Sequence, residues 1–313
     1  MEDFGIHGIF CNFAKYKLTY IMNRCITNLA VFLLGGWMSM NATVPGEVIF
    51  NNEKTDTAHI TEILTDASAA MGRKDGNKRI AYIGRKFIGT PYKGGLLDKH
   101  PEEEHLTVNI DSLDCTTYVE TVMALAYTIG EGRTSWRDFI YNLQRLRYVN
   151  GKVDGYASRL HYPSQWIVDN VYRGNFLEVT NVLPNSEYQV KTLDFMTHNR
   201  DKYPALADSA TFAKMKNAET AYRNHRYPYI KSSKVANKEV LKMLREGDVV
   251  LITTKTPGLD VQHMGIIVKE NDVPYLMHAS SAAGKVTIEK APLVDYLRKN
   301  RTASGIRIVR LND

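Results

Sequence analysis

The chain has 313 residues, of which 44% are hydrophobic and 24% are charged, and its formal net charge is +6. These values are typical of a globular protein that can bury a core without disulfide staples. The mildly basic balance suits an anionic partner, but no stripe of Arg and Lys alternates with aromatic residues, which argues against nucleic acid as that partner.

The N-terminal stretch predicts an export signal. A short basic segment at residues 22–24 precedes the mostly apolar run 25–40. This order is typical of a signal peptide cut near Ala42, and the run is short for a membrane span, although a retained anchor is the alternative. We therefore expect residues 1–42 to be a leader. We expect residues 43–313 to form one exported domain, periplasmic or in the cell envelope, with no membrane span.

The part of the chain after the leader begins with predicted helices. Residues 43–54 have the composition of an exposed linker. Apolar residues at helical spacing then predict four helices, with a glycine-rich loop and a short alternating strand after the second. The helices are 55–71, 77–88, 134–147 and 163–172, the loop is 89–95, and the strand is 106–110.

Cys115 is predicted to begin a further, buried helix, because Tyr118 and Val122 follow it at helical spacing. At a helix start, unpaired N–H groups and the positive end of the dipole favour a thiolate. The other two cysteines, Cys11 and Cys25, would leave with the leader, so no internal disulfide could form. A lone cysteine is often a small core residue, but a free thiol in an oxidising compartment indicates a reactive role.

The pattern changes to strands at Gly247. Five runs at short spacing predict strands over 248–254, 262–269, 274–280, 285–289 and 305–310. Helices followed by an antiparallel meander are typical of the α+β class. The simplest architecture is one compact domain with a helical insertion at about 150–240.

Two histidines lie on neighbouring predicted strands. His263 and His278 face each other if the hairpin is centred between Glu270 and Asn271, within a polar turn. One imidazole can then hold the ring of the other through a hydrogen bond and fix its tautomer. Together with Cys115, the pair supplies a nucleophile, a base and an orienting group.

A zinc site and a serine nucleophile are the alternatives to a cysteine nucleophile. Cys115, His263 and His278 could together bind zinc, since one Cys and two His form a catalytic ligand set. No CxxC or HExxH spacing supports a zinc site. No GxSxG segment supports a serine nucleophile.

Several blocks of this sequence, in this order, resemble one family. One set of blocks is 89–95, 113–117, 247–250 and 263–266, and a second set is 114–121, 157–162, 258–265 and 278–281. They are similar to those of the NlpC/P60 cell-wall hydrolases and, more narrowly, of the DUF1460 branch, the N-acetylmuramoyl-L-alanine amidase-like proteins. The resemblance covers about residues 77–310, which is nearly all of the chain after the leader.

The resemblance implies a papain-like α+β fold, in which the cysteine opens a helix packed on an antiparallel sheet that carries the histidine pair. It implies that Cys115 is the nucleophile, that His263 is the general base and acid, and that His278 orients His263. The residues alone point to the same three side chains. No metal or cofactor is expected.

The same resemblance implies substrate-binding positions, namely Tyr92, Asp114, Thr116, Arg159, His161 and Tyr162. Tyr92 matches the position that borders the thiol, and the 157–162 block is expected to shape the cleft. In the endopeptidases of the superfamily, an Asp-Cys-Ser segment helps to hold a free peptide amine. Here Thr116 replaces the serine, which favours a different bond.

The expected function is a cysteine amidase of peptidoglycan fragments or muropeptides. It would hydrolyse the N-acetylmuramoyl-L-alanine amide bond through a thioester. The first alternative is an NlpC/P60 endopeptidase that cuts the bond between D-Glu and the diamino acid of the stem peptide. The second is a catalytically dead cell-wall-binding module, which would have no need to keep all three of Cys115, His263 and His278.

Overall fold

The structure is a computed structural model that describes residues 48–312. The predicted leader, 1–42, with Cys11 and Cys25, lies outside the described residues. Among the residues that are described, no helix combines the length and the apolar character that a membrane span requires.

An antiparallel sheet of eight strands forms the centre of the fold, with the order β4-β5-β10-β6-β7-β8-β9 and with β3 paired to β10. A separate parallel pair joins β1 to β2. The strands are β1 (Val48–Phe50), β2 (Leu106–Val108), β3 (Phe176–Glu178), β4 (Glu187–Lys191), β5 (His225–Lys231), β6 (Val249–Thr254), β7 (Val261–Glu270), β8 (Val273–Ser280), β9 (Lys285–Pro292) and β10 (Ala303–Leu311).

Helices cover both faces of this sheet. They are α1 (Glu53–Met71), α2 (Gly76–Lys86), α3 (Cys115–Gly130), α4 (Trp136–Arg147), α5 (Pro163–Tyr172), α6 (Phe195–His198), α7 (Ser209–Thr220), α8 (Lys238–Met243) and α9 (Leu293–Lys299). The main core joins the helices α1 to α5 to one face, where Leu251 points. A smaller core joins α8 and α9 to the other face, where Val250 and Ile252 point. All six residues of β6 are buried, as expected for a strand covered on both faces.

The predicted α+β class is confirmed, since the helices come first and an antiparallel meander follows. Each predicted helix of the first half is present to within a few residues, and so is each of the five predicted strands. These elements have long apolar periodicities and clear end signals. For example, Asn52 caps α1 by accepting a hydrogen bond from the Thr55 N–H.

The prediction of an exposed linker over residues 43–54 is wrong in part. Val48–Phe50 forms a half-buried strand that pairs in parallel with Leu106–Val108. Glu53 then begins α1. Three residues are too few to show the alternation by which a strand is recognised, so this strand depends on the tertiary contact with β2.

The segment at about 150–240 is not a helical insertion alone. Three of its strands extend the central sheet, because β3 and β5 both pair with β10 and β4 pairs with β5. Pro228 lies inside β5, and a proline within a run weakens the sequence signal for a strand. The segment also has its own small core, which includes Tyr162, Met196 and Met215.

Candidate active site

Cys115 is the first residue of α3, and the preceding residue fixes where this helix starts. The Asp114 carboxylate accepts a hydrogen bond from the Thr117 N–H at 2.8 Å, and the Thr117 hydroxyl accepts one from the Asp114 N–H at 2.9 Å. This reciprocal capping box is a strong start signal for a helix. It places the Cys115 side chain at the start of α3, where the backbone of Met264 in β7 reaches the thiol.

The surroundings of the Cys115 thiol differ from the sequence expectation of a thiolate. Burial, followed by the nearby Asp114 carboxylate, raises the pKa of Cys115 to about 11. Hydrogen bonds from the Met264 backbone N–H, the Thr116 hydroxyl and the cysteine's own N–H act in the opposite direction. This pKa corresponds to a protonated thiol near pH 7, which would pass its proton to a base when it attacks.

The two histidines are hydrogen-bonded to each other across β7 and β8. Nε2 of His263 lies 2.5 Å from Nδ1 of His278, and the two rings are nearly perpendicular, with an angle of 84° between them. His278 is buried, with 2% of its surface exposed, and His263 is half-buried. The ring of His263 lines the same cleft as Cys115.

The predicted hairpin register is wrong, because the centre of the hairpin lies one residue later than predicted and each strand partner is shifted by two positions. Glu270 pairs with Val273, so the turn consists of Asn271 and Asp272. Both have positive φ, 50° and 64°, as in the type I′ turns that suit two-residue hairpins. Continued along the strands, this register places His278 opposite residue 265 instead of opposite residue 263. A shift of two positions keeps both rings on one face of the sheet, so they still meet.

Gly265 makes room for this arrangement. A Cβ atom at this position would lie 2.9 Å from Cβ of His278 and 2.7 Å from Cδ1 of Leu276. Cross-strand Cβ atoms are normally about 4.5–5.5 Å apart. The glycine therefore allows β8 to bring His278 close to β7, where its ring reaches His263.

Glu289 extends this chain of contacts and was not predicted. Its Oε1 lies 2.8 Å from Nε2 of His278. Glu289 lies on β9 where the pairing with β8 shifts register, between the pairs Met277–Ile288 and Tyr275–Pro292. Thr287 is the strand partner of His278, and the register shift brings Glu289, two residues further on, to the same ring.

The pKa values of both imidazoles are lowered. Burial and the neighbouring His278 lower the pKa of His263 to about 3. Burial also lowers the pKa of His278, although the hydrogen bond and the charge of Glu289 oppose that shift. Both rings are therefore neutral near pH 7, and His263 can accept a proton.

This electrostatic arrangement predicts the pH dependence of the reaction. Protonation of His263 removes the base, and its lowered pKa means that this happens only well below the ordinary histidine value of 6.5. We expect the acid limb of kcat/KM, measured on a soluble muropeptide, to have its midpoint below pH 6.5. A midpoint at or above this pH would contradict a neutral, buried pair.

The cleft beside Cys115 has a volume of about 140 Å³, which is small compared with most ligand sites. It is lined by Cys115, Thr116, Leu160, His161, Pro163, Trp166, Leu259, Val261, Gln262, His263 and Met264. Of the predicted substrate-binding residues, Thr116 and His161 are therefore in this lining. Trp166 and Gln262 also line the cleft and were not predicted, because their spacing gives no signal beyond helix and strand periodicity.

Tyr92 and Asp114 lie near the thiol. Burial, then the charges of Cys115 and Asp114, raise the pKa of Tyr92. The backbone of Tyr92 also forms a bridge with Leu113, just before α3. One carboxylate oxygen of Asp114 is used in capping the helix through Thr117.

The structure does not place Arg159 and Tyr162 in the cleft lining. The Arg159 guanidinium is buried beside Asp98, at 2.5 Å, and Glu104, at 3.3 Å. The Tyr162 hydroxyl is buried and donates to Glu219 at 2.6 Å. Both polar groups interact with carboxylates of the protein, and the two side chains flank His161 in the sequence. Their role in binding substrate stays a prediction.

His161 is held against this support. Its Nε2 lies 2.8 Å from the Tyr156 carbonyl oxygen, and the two rings are 4.4 Å apart. Burial and the Arg159 charge lower the pKa of His161 to about 3. A neutral, fixed imidazole in this wall can offer a flat face to a ligand but not a positive charge.

The geometry does not favour a zinc site. A metal bound by Cys115, His263 and His278 would need a nitrogen from each ring, but Nδ1 of His278 is hydrogen-bonded to His263 and Nε2 of His278 is hydrogen-bonded to Glu289. Within residues 48–312, no three His, Cys, Asp or Glu side chains are arranged to hold a metal ion.

Comparisons with known proteins agree with this fold. The chain matches the AmiA-like family, described as N-acetylmuramoyl-L-alanine amidase-like, over residues 82–306. It is similar to the solved structure of an N-acetylmuramoyl-L-alanine amidase from Bacteroides uniformis, with 36% identity and a TM-score of 0.71, covering 76% of this chain and 99% of that chain. A comparison with curated proteins gives no match.

Two further solved structures are similar. A Bacteroides fragilis protein, described as a proposed xylanase, has 38% identity and a TM-score of 0.68, covering 73% of this chain and 99% of its own. A Legionella pneumophila protein described with the DUF1460 family has 23% identity and a TM-score of 0.66, covering 83% of this chain and 96% of its own. At that identity, the likeness to the Legionella protein shows the fold alone.

The fold and the cleft together define an α+β protein of the amidase-like hydrolase class. The chain belongs to the AmiA-like family of N-acetylmuramoyl-L-alanine amidase-like proteins. This membership confirms the amidase-like part of the expected family, and the wider relation to NlpC/P60 enzymes stays a resemblance.

Proposed function

We propose that this protein is an exported cysteine amidase that hydrolyses the N-acetylmuramoyl-L-alanine bond of peptidoglycan fragments. The observation that carries the proposal is the arrangement of three side chains. Cys115 begins a helix and lines a cleft, His263 lines the same cleft, and Nδ1 of His278 is hydrogen-bonded to Nε2 of His263 at 2.5 Å. Such an arrangement of nucleophile, base and orienting group is suited to acyl transfer.

The reaction would begin with proton transfer. His263 accepts the thiol proton as Sγ of Cys115 attacks the carbonyl carbon of the lactyl amide. The negative charge that develops on the carbonyl oxygen lies at the start of α3, where backbone N–H groups, including that of Cys115, can stabilise it. His263 then donates the proton to the leaving amine of L-alanine, and a thioester to Cys115 remains.

The second half of the reaction would use the same base. With the peptide gone, His263 takes a proton from water, and the hydroxide attacks the thioester carbonyl. The tetrahedral intermediate collapses, the sugar acid leaves, and the Cys115 thiolate takes the proton back from His263, which restores the thiol and the neutral base. Each half requires a neutral His263 at its start, which agrees with its lowered pKa.

Two features support cleavage at the sugar instead of within the stem peptide. Thr116, which lines the cleft, replaces the serine that helps endopeptidases of the superfamily to hold a free amine. The segment 160–166, which ends in the first turn of α5, adds a wall that includes two aromatic rings, those of His161 and Trp166. Flat aromatic faces suit the apolar side of a sugar. The similarity to the Bacteroides uniformis amidase supports the same choice.

The cleft gives less support to a glycoside hydrolase. Cleavage of a glycosidic bond usually requires two carboxylates that flank the bond. Among the described residues that line the cleft, none is Asp or Glu. The endopeptidase and the dead binding module remain the alternatives against which the amidase is tested.

Analysis of the products from one defined muropeptide tests the choice of bond. N-acetylmuramic acid that carries a stem tripeptide is digested, and the products are separated and weighed by mass spectrometry. We expect unsubstituted N-acetylmuramic acid and an intact stem peptide with a free L-alanine amine. A sugar that still carries L-Ala-D-Glu would identify an endopeptidase, and an unchanged substrate would favour the binding module.

A further inference from the structure

We propose that Glu289 is a positioning residue of this site, which fixes the tautomers of His278 and His263 so that His263 presents an unprotonated nitrogen to Cys115. The proposal rests on the proposed function for its meaning in catalysis. It can also be tested on the reactivity of the thiol, with no substrate present.

The argument starts from the hydrogen bond between Glu289 and His278. Oε1 of Glu289 lies 2.8 Å from Nε2 of His278. An ionised carboxylate can only accept a hydrogen bond, so Nε2 of His278 must carry the hydrogen. A neutral imidazole has one N–H, and therefore Nδ1 of His278 is an acceptor.

The hydrogen bond between the two rings then fixes the tautomer of His263. Nδ1 of His278 accepts from Nε2 of His263, at 2.5 Å. Nε2 of His263 therefore carries the one hydrogen of that ring, and its Nδ1 has a free lone pair. The base nitrogen that Cys115 needs is thus set by a carboxylate two hydrogen bonds away.

Glu289 supplies the negative charge beside His278, because the other titratable groups described around this ring are neutral near pH 7. His263 of β7 is neutral near pH 7, since burial and the neighbouring His278 lower its pKa to about 3. Tyr296 of α9 packs edge-on against His278 at 5.7 Å, and burial raises its pKa to about 12. The Cys115 thiol of α3 is neutral as well, since burial raises its pKa to about 11.

The same carboxylate would stabilise the state in which the thiol proton has moved. When Nδ1 of His263 accepts that proton, the pair of rings carries a positive charge in a buried place. The side chain of His278 is 2% exposed and that of Glu289 is 27% exposed, so water weakens this ion pair less than it weakens pairs on the surface. Glu289 thereby raises the basicity of the histidine pair when a proton arrives.

Glu289→Gln is the informative variant, because an amide keeps the size of the side chain but lacks the charge. Its NH2 group can also donate to Nε2 of His278 and so select the opposite tautomer. We expect kcat on the muropeptide to fall by about 10- to 1,000-fold with little change in KM, by analogy with residues that orient a catalytic or metal-bound histidine. The acid limb of the pH profile should move to lower pH, and Glu289→Asp should recover part of kcat.

Two further readouts separate positioning from structure. Alkylation of Cys115 by iodoacetamide should slow in Glu289→Gln, and nitrogen-15 NMR of the histidine rings should show that the protonated nitrogen of His278 changes from Nε2 to Nδ1. Glu270→Gln is the matched control, since Glu270 is an exposed carboxylate at the end of β7. It should behave as the wild type in every assay.

The proposal is overturned if Glu289→Gln keeps the wild-type kcat, alkylation rate and ring tautomers. It is also overturned if the fall in kcat is explained by a loss of folded protein, seen as a lower Tm, and the acid limb of the pH profile does not shift. That pattern would show a structural role. If the wild type cleaves no muropeptide, the proposed function fails. The alkylation and NMR results still decide the role of Glu289.

Discussion

Cys115→Ala is expected to abolish hydrolysis and to leave the fold intact. The nucleophile and its base act as a unit, so removing the sulfur should lower kcat by at least about 10,000-fold. The substitution removes one half-buried sulfur at a helix start, while the capping box between Asp114 and Thr117 remains. Turnover of a soluble muropeptide and Tm by thermal unfolding measure the two effects.

Glu270→Gln serves as the control for this variant as well, since Glu270 is exposed at the end of β7 and the thiol is kept. It should keep most of the activity. Wild-type activity should also be lost to a thiol alkylator and kept in the presence of a chelator. Unchanged turnover in Cys115→Ala, or loss to the chelator alone, would contradict the cysteine mechanism and favour a metal site.

His263→Ala should cause the next largest loss, about 1,000-fold or more in kcat, because this ring moves the proton in both halves of the reaction. His278→Ala should cost less, about 10- to 1,000-fold, since His278 orients the base and does not itself touch the reacting atoms. Both variants are assayed for kcat and KM on the same muropeptide, with Tm as the control for folding.

The order of these two effects is the test of the roles. If His278 variants lose more activity than His263 variants, then His278 is the base and His263 is the residue that orients it. Equal losses with a large fall in Tm would show instead that the pair supports the fold.

The sequence was sufficient to predict the elements that carry Cys115, His263 and His278. The helix at Cys115 has a capping residue and a long apolar face, and β7 and β8 have long apolar runs. The contact between the two histidines was predicted from an incorrect register. The two rings still meet because a shift of two positions keeps each side chain on the same face of the sheet.

Other parts of the site depend on tertiary contacts that leave no periodic signal. Glu289 reaches His278 at a register shift between β8 and β9, which local patterns do not reveal. Arg159 and Tyr162 have residue types that suit a ligand site. Their partners, Glu104 and Glu219, are 55 and 57 positions away along the chain, so burial could not be deduced from the motif. The raised pKa of Cys115 likewise depends on packing around the thiol.

The mass of the acyl-enzyme tests the central claim most directly, because it reports the nucleophile and the bond together. A reaction with a defined muropeptide is stopped with acid within the first turnovers, and the intact protein and its peptides are weighed. We predict an added N-acetylmuramoyl group, bound to Cys115 and released by hydroxylamine. An adduct that also contains L-Ala-D-Glu, or an adduct on a residue other than Cys115, would contradict the account.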